Sequence, residues 1–321
     1  MKQSFFNMCA IATGLCAATA GAQGYPSKPV RIVVPYAAGG PYDEIVRTLG
    51  QRLTEIWGQA VVVENRGGAG GNIGADVVAK AAPDGYTLLI GNAGPITVNP
   101  TLFKKLPYNP QRDFAPVTMV NASRMVLSVH PSLPAKNIRE FAALAKSSPG
   151  RISFASSGVG NLQHLGMELL RLEAGVEMNH VPYKGAAPAF VDLISGQVDS
   201  MFANIVGTMP HLRTKRVRAL AVSSKERSPL LPDVPSVAET YKGFDIPTWS
   251  GIFAPAGTPR DIIARLNADL TKVLQRADVK ERFAHQGSEA TPSTPEALAE
   301  HVRKETVMYA NVIKVAKIVA E

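Results

Sequence analysis

"AVVVENRGGAGGNIGADVVAKAAPDGYTLLIG", residues 60–91, sets two aliphatic runs on either side of a segment with helical spacing. An apolar run, a glycine-rich turn, a helix-patterned stretch, a P-D-G turn and a second apolar run make a strand–helix–strand unit. Its two strands must run parallel, because a crossover helix carries the chain back to the starting end of the sheet. Upstream, "VRIVVP" (30–35) leads into the helical pattern "YDEIVRTLGQRLTEIW" (42–57), which extends the unit to βαβαβ.

The pattern then restarts. "RISFASSG" (151–158) precedes the helical "LQHLGMELLRLEAG" (162–175), "NHVPY" (179–183) precedes "PAFVDLISG" (188–196), and "VDSMFAN" (198–204) precedes a short helix and "VRALAVSS" (217–224). Two α/β units, each a mostly parallel sheet flanked by helices, account for this repetition better than one merged sheet. Two extended stretches, 114–137 and 244–259, bracket the second unit, and three helical segments follow the later one. The chain is therefore expected to cross into a second domain and return, with the two crossovers as a hinge. The expected division is 1–22 as a presequence, 23–124 with 247–321 as domain 1, and 125–246 as domain 2.

The presequence rests on Lys2, the short apolar "FFNMCAIATGLCAATA" (5–20) and the small residues Ala20, Gly21 and Ala22. Together they predict a cleaved secretory signal with the cut between Ala22 and Gln23, and hence a periplasmic protein. Both cysteines, Cys9 and Cys16, fall inside it, so the mature chain offers no thiol, disulfide or thiolate ligand. The residues before each cysteine fit a lipid-acceptor site poorly. The formal net charge of +8 is scattered among acidic residues, and the densest basic cluster, 213–218, has no interleaved aromatics. That pattern argues against nucleic acid and suits a small anion.

Three glycine-bearing junctions follow predicted strands. In 65–76 the glycines miss the i, i+2, i+5 dinucleotide spacing, because Ile73 stands where the third is required after Gly68 and Gly70. No lysine–serine or lysine–threonine pair makes a phosphate loop, so no nucleotide cofactor is expected. Two readings stay open there: an anion pocket at a helix start near Asn72 or Ile73, or a tight strand-to-helix turn. At the first junction, Gly39 and Gly40 free the backbone, Pro41 suits a helix start, and Asp43 either caps the helix or meets a ligand. At 155–165, Ser156 and Ser157 offer hydroxyls, Gly158 and Gly160 open the backbone, and Asn161 is a cap candidate with His164 close by. Facing helix N-termini across a cleft favour an anion.

Enzymatic signatures are weak. The nucleophile elbow G-x-S-x-G is absent, and a Ser157, His164 and Asp192 triad has nothing evident to orient the imidazole. The histidines at 130, 164, 180, 211, 285 and 301 lack metal-motif spacing, and His180 reads as structural. No catalytic residue, metal or cofactor is expected.

The stretches "YPSKPVRIVVPYAAGGPYD", "VVVENRGGAGGNIGADVVAKAAPDGYTLL", "FASSGVGNLQHLGMELL" and "HVPYKGAAPAFVDLISGQVDSMF" give the chain a resemblance to a known family. The chain resembles the extracytoplasmic solute receptors of tripartite tricarboxylate transporters, the Bug or TctC-like proteins. The resemblance implies a two-domain Venus-flytrap periplasmic binding fold of type II character, closing on a di- or tricarboxylate, an acidic amino acid or an aromatic acid. It implies Tyr36, Ala37, Gly39, Gly40 and Asp43 on one wall and Ser156, Ser157, Gly158 and Asn161 on the other. Asn92, His164, Tyr183 and Asn204 are further candidates. Membrane-embedded permease subunits and a carboxylate are the implied partners, with the receptor itself monomeric and used for uptake or sensing. The alternative is a periplasmic enzyme acting on a carboxylate. Asn161 stands where the family often has serine and Tyr42 where it often has a small residue, so no one relative's ligand transfers directly.

Overall fold

The computed structural model describes residues 24–319 except 37 and 184–185. The presequence, its two cysteines and the candidate Ala37 lie outside the described residues. The chain opens with β1 (Val30–Val34), α1 (Pro41–Trp57), β2 (Val61–Asn65), α2 (Asn72–Ala79) and β3 (Thr87–Asn92). A π-helical turn at Gly94–Val98 and two short helices, α3 (Asn99–Leu102) and α4 (Pro110–Asp113), lead to the long β4 (Phe114–Ser123).

The second unit runs β5 (Met125–Val129), α5 (Ile138–Ser147), β6 (Ser153–Ser156), α6 (Leu162–Ala174), β7 (Asn179–Pro182), α7 (Ala186–Ser195), β8 (Ser200–Asn204), α8 (Ile205–Arg213) and β9 (Arg218–Val222). The chain returns through β10 (Thr248–Pro255), α9 (Arg260–Gln275), α10 (Ala277–His285), β11 (Ser288–Ala290) and α11 (Pro295–Val315).

Two sheets result, ordered β11-β4-β10-β3-β1-β2 and β7-β6-β8-β5-β9. The expectation of mostly parallel sheets needs correcting, because both are mixed. β1 pairs parallel with β2 and β3, and β6 with β7 and β8. β10 is antiparallel to both β3 and β4, β11 to β4, and β5 to both β8 and β9. The helical crossovers impose the parallel pairings. The extended connections carry no crossover helix and enter beside existing strands in the opposite direction.

Alternate residues of β1 serve opposite faces of its sheet. Val30, Ile32 and Val34 pack with Ile45, Leu49 and Leu53 of α1 and Leu266 and Leu270 of α9. Val33 joins Ala75 and Val78 of α2 on the other side, in a core that continues to Tyr309 of α11. α2 lies very close to β1: a Cβ at Gly74 would stand 2.7 Å from Pro35 Cα and 2.9 Å from the Arg66 carbonyl oxygen. In the turn before α2, residues 68–71 all have left-handed φ angles, from 47° at Ala69 to 125° at Gly68. Three of the four are glycines, which adopt that conformation without the Cβ penalty.

The outward passage between the sheets is short, and the return runs through residues 223–247. Arg124 alone separates β4 from β5. Ser223, just beyond β9, ties the outward and return passages together. Its N–H donates to the Met125 carbonyl and its hydroxyl accepts from Met125 N–H at 3.0 Å. That hydroxyl also donates to the Ile246 carbonyl at 2.8 Å, while Ile246 N–H donates to the Ser223 carbonyl.

Candidate ligand-binding site

A cleft of about 850 Å³ lies between the two sheets and is walled by loops from both. Most of the predicted residues that reach it follow the carboxyl end of a strand, where open α/β sheets place their ligands. Tyr36 and Asn92 come from the first sheet. Ser157, Gly158, Asn161, Tyr183 and Asn204 come from the second.

The second-sheet wall is built on the start of α6. Asn161 is its N-cap: Oδ1 accepts the His164 N–H at 3.0 Å, and Nδ2 donates to Ser157 Oγ at 2.8 Å. Ser157 N–H donates to Gln163 Oε1 at 2.8 Å, which fixes that side chain with its amide NH₂ pointing away from the bond. The N–H groups of Leu162 and Gln163, in the first turn, have no partner among the described residues, as expected at a helix start. Behind the wall, His164 Nδ1 accepts the Gly160 N–H at 3.0 Å, and its ring stacks on His180 with centroids 3.8 Å apart. His180 Nε2 lies 2.7 Å from Ser156 Oγ. Burial and then the neighbouring His164 push His180 down to about 4, so it is a neutral prop beneath the loop.

The first-sheet wall was read less completely. Tyr36 donates its hydroxyl to Asn92 Oδ1 at 2.9 Å and stacks on Tyr42 with ring centroids 5.0 Å apart. Tyr42 lines the cleft. The turn at 65–76 reaches the cleft through Gly70, whose carbonyl accepts from Asn99 Nδ2. Gly94, Val98, Asn99, Leu102 and Phe103, from the π-helical turn, α3 and the residue after it, and Thr248 of β10 complete this wall and were not anticipated. The signal available for the first five was "GPITVNPTLF" (94–103), where two prolines obscured the helical period.

Some candidates stand off the cleft. Gly39, Gly40, Asp43, Ser156 and His164 do not line it. Asp43 is buried beneath its own turn, with Oδ2 accepting from Arg47 Nε and from the Gly39 N–H, both at 2.9 Å. The Arg47 bond, helped by that N–H, holds the Asp43 carboxyl below its ordinary range despite burial. The Ser157, His164 and Asp192 triad is not assembled: Asp192 accepts the Tyr183 hydroxyl at 2.6 Å, and His164 is committed to Gly160. No group of three or more His, Cys, Asp or Glu side chains suited to a metal occurs among the described residues.

Two features define what the cleft can do. Among the described residues no Arg, Lys, His, Asp or Glu lines it, and what those residues offer an ion is neutral donors and a helix start. The walls also touch at the rim, where a Cβ at Gly160, itself at φ 77°, would collide with Leu102 Cδ2.

A family model described as "Tripartite tricarboxylate transporter family receptor" matches residues 45–317. Protein BugT of Bordetella pertussis (strain Tohama I) is 39% identical over 306 residues, covering 95% of this chain and 94% of that one. Among solved structures, Rpa4515 of R. palustris with adipate is 34% identical at a TM-score of 0.78, covering 92% of this chain and 99% of that chain. MatC (Rpa3494) from Rhodopseudomonas palustris with bound malate is 36% identical at a TM-score of 0.74, covering 90% and 100%.

Proposed function

This chain belongs to the tripartite tricarboxylate transporter receptor family, and from that premise we propose that it is a periplasmic solute-binding protein that captures a small organic carboxylate between its two domains. The observation that carries the reading is the cleft itself, bounded by strand-end loops of both sheets and by the donor-bearing start of α6. The adipate and malate held by the related proteins support the chemical class. Ser157, Gly158 and Asn161 would meet the carboxylate, with Tyr36, Asn92, Tyr183 and Asn204 around it. Gly39, Gly40, Asp43, Ser156 and His164 would hold those loops in shape. Residues 23–124 with 247–321 would form one domain and 125–246 the other, turning about the passages laced by Ser223.

No catalytic step is assigned. Contacts made to both walls only when they meet give the closed form its advantage, which is all that capture requires. The loaded receptor would then deliver its cargo to membrane-embedded permease subunits. No helix among the described residues is long and apolar enough to cross a membrane.

A thermal-shift screen against mono-, di- and tricarboxylates tests the reading. An acid at 100 times its Kd adds about 2.7 kcal/mol to stability, and no shift with any acid would sink the proposal. The rim contact gives a second expectation. Gly160→Ala puts a methyl where Leu102 packs and a side chain on a left-handed backbone. Affinity for whichever acid binds should fall about tenfold, roughly 1.4 kcal/mol by calorimetric titration. Adding Leu102→Ala should recover part of it, and unchanged affinity in Gly160→Ala would mean the walls need not meet.

A further inference from the structure

Behind the first-sheet wall, one buried acid joins two segments that both reach the cleft. Glu305 of α11 sets its Oε2 2.8 Å from Thr97 Oγ1, in the π-helical turn, and accepts there from Trp249 Nε1 of β10, also at 2.8 Å. The π-helical turn and the residue after it give the cleft Gly94, Val98 and Asn99, and Trp249 follows directly on Thr248, which also lines it. The hydrogens at this junction can be counted. The Thr97 hydroxyl has one, and two acceptors stand within its reach: Glu305 Oε2 and, at 2.9 Å, the Ala93 carbonyl oxygen. A carbonyl can only accept. With a proton on Oε2, Glu305 donates to Thr97 and Thr97 donates to Ala93, so both short contacts are hydrogen bonds. Without it, Oε2 draws the Thr97 hydrogen to itself, and the Thr97–Ala93 contact sets one lone pair against another.

Taking the cleft as the carboxylate site proposed above, we propose that Glu305 is a positioning residue for it: its proton holds the π-helical turn, and the wall that turn carries, in the shape that takes the ligand. Ala93 and Thr97 bracket the turn, so losing the bond between them loosens the segment from which Gly94 and Val98 enter the cleft. Apparent affinity then falls with the fraction of molecules whose wall keeps the competent shape. The charge left on Glu305 acts in the same direction, since an anion behind the wall opposes an anion in front of it. Burial pushes the Glu305 carboxyl up to about 7, so the proton comes off near neutrality. The titratable groups facing it are His301 and Tyr309 of α11 and the more distant Asp245 of the return passage, with Lys304 acting on His301. Burial raises Tyr309 well above its ordinary 10 and lowers His301 below 6.5, which keeps both neutral as Glu305 ionises.

The test reads the wall and the ligand separately in the mature chain. Hydrogen exchange of the segment 94–103, corrected for the intrinsic effect of pH, should be at least threefold faster at pH 8.5 than at pH 6 in the wild type and equal at the two in Glu305→Gln, which cannot ionise. Calorimetric titration with adipate and with malate should show affinity falling at least threefold over the same range in the wild type and staying level in the variant. Thr97→Val, which removes the hydroxyl at nearly constant volume, should abolish both steps from the other end of the bond. Steps that persist in both variants belong to other titrating groups, the stacked His164 and His180 behind the opposite wall included, and overturn the proposal. A wild type with no step in exchange overturns it too, and exchange that steps while affinity stays level removes Glu305 from ligand binding. Silence from both acids at both pH values counts against the carboxylate reading, and the exchange step then decides the role of Glu305 alone.

Discussion

Gly74→Ala is expected to destabilise the protein by about 2–3 kcal/mol, although alanine is the better helix former. Gly74 lies in the first turn of α2 with ordinary helical geometry, so intrinsic propensity alone would predict a gain of up to about 1 kcal/mol. Packing reverses the sign. A methyl there meets Pro35 Cα and the Arg66 carbonyl oxygen, both backbone atoms of the strand ends beneath the helix, and neither can swing aside as a side chain can. α2 would have to lift from β1, opening the packing of Ala75 and Val78 against Val33. Denaturant unfolding measures the change. A neutral or stabilising substitution would show that α2 is free to shift and that the close approach is incidental.

The second large effect is a pH dependence centred on Glu305 of α11. Its Oε2 lies 2.8 Å from Thr97 Oγ1 in the π-helical turn and accepts from Trp249 Nε1 of β10 at 2.8 Å. Burial pushes its carboxyl up to about 7, against the lowering effect of the hydrogen bonds from Thr97 and Trp249. The folded protein therefore holds a proton on Glu305 that the unfolded chain releases near 4.5. Stability from this group is intact below about 4.5 and is lost as pH rises toward 7, a total on the order of 3 kcal/mol. Three other titratable groups act on it: His301, whose Nε2 is 3.9 Å from Oε1, Tyr309 and the more distant Asp245. Burial lowers His301, which gives a slope of opposite sign just below its ordinary 6.5. Glu305→Gln keeps an acceptor for Trp249 and cannot ionise. Its melting temperature should exceed the wild type's at pH 8 by several degrees and match it near pH 5. Parallel curves for the two proteins would place the titration elsewhere.

Much of the fold was legible because both units repeat a short apolar strand followed by a turn and a helix, with a glycine-bearing turn at several of these junctions. The start of α2 at Asn72 and the N-cap at Asn161 were readable from local chemistry, since both depend on neighbours a few residues away. Strand direction at the crossovers was not, because β4 and β10 find their partners over more than a hundred residues. The cleft divided along the same line. The strand-end loops announced Ser157, Gly158 and Asn161, whereas Val98 enters from the π-helical turn and Leu102 and Phe103 from the end of α3, segments whose two prolines leave no periodic signature. Asp43 shows the converse: an acid beside two glycines looks like a ligand contact, and its bonds to Arg47 and Gly39 turn it inward.

The four hydrogen bonds centred on Ser223 bear on how such a molecule can move. They hold the start of β5 and the segment before β10 in one fixed place beside the end of β9. Met125, Ser223 and Ile246 all lie within 125–246, so in the domain division proposed above none of this lacing would need to break as the domains turn. The resistance to opening then belongs to the rim, where Leu102 meets Gly160, and to whatever is held between. A receptor assembled in this way can have its release rate tuned at the mouth of the cleft while its pivot is left untouched.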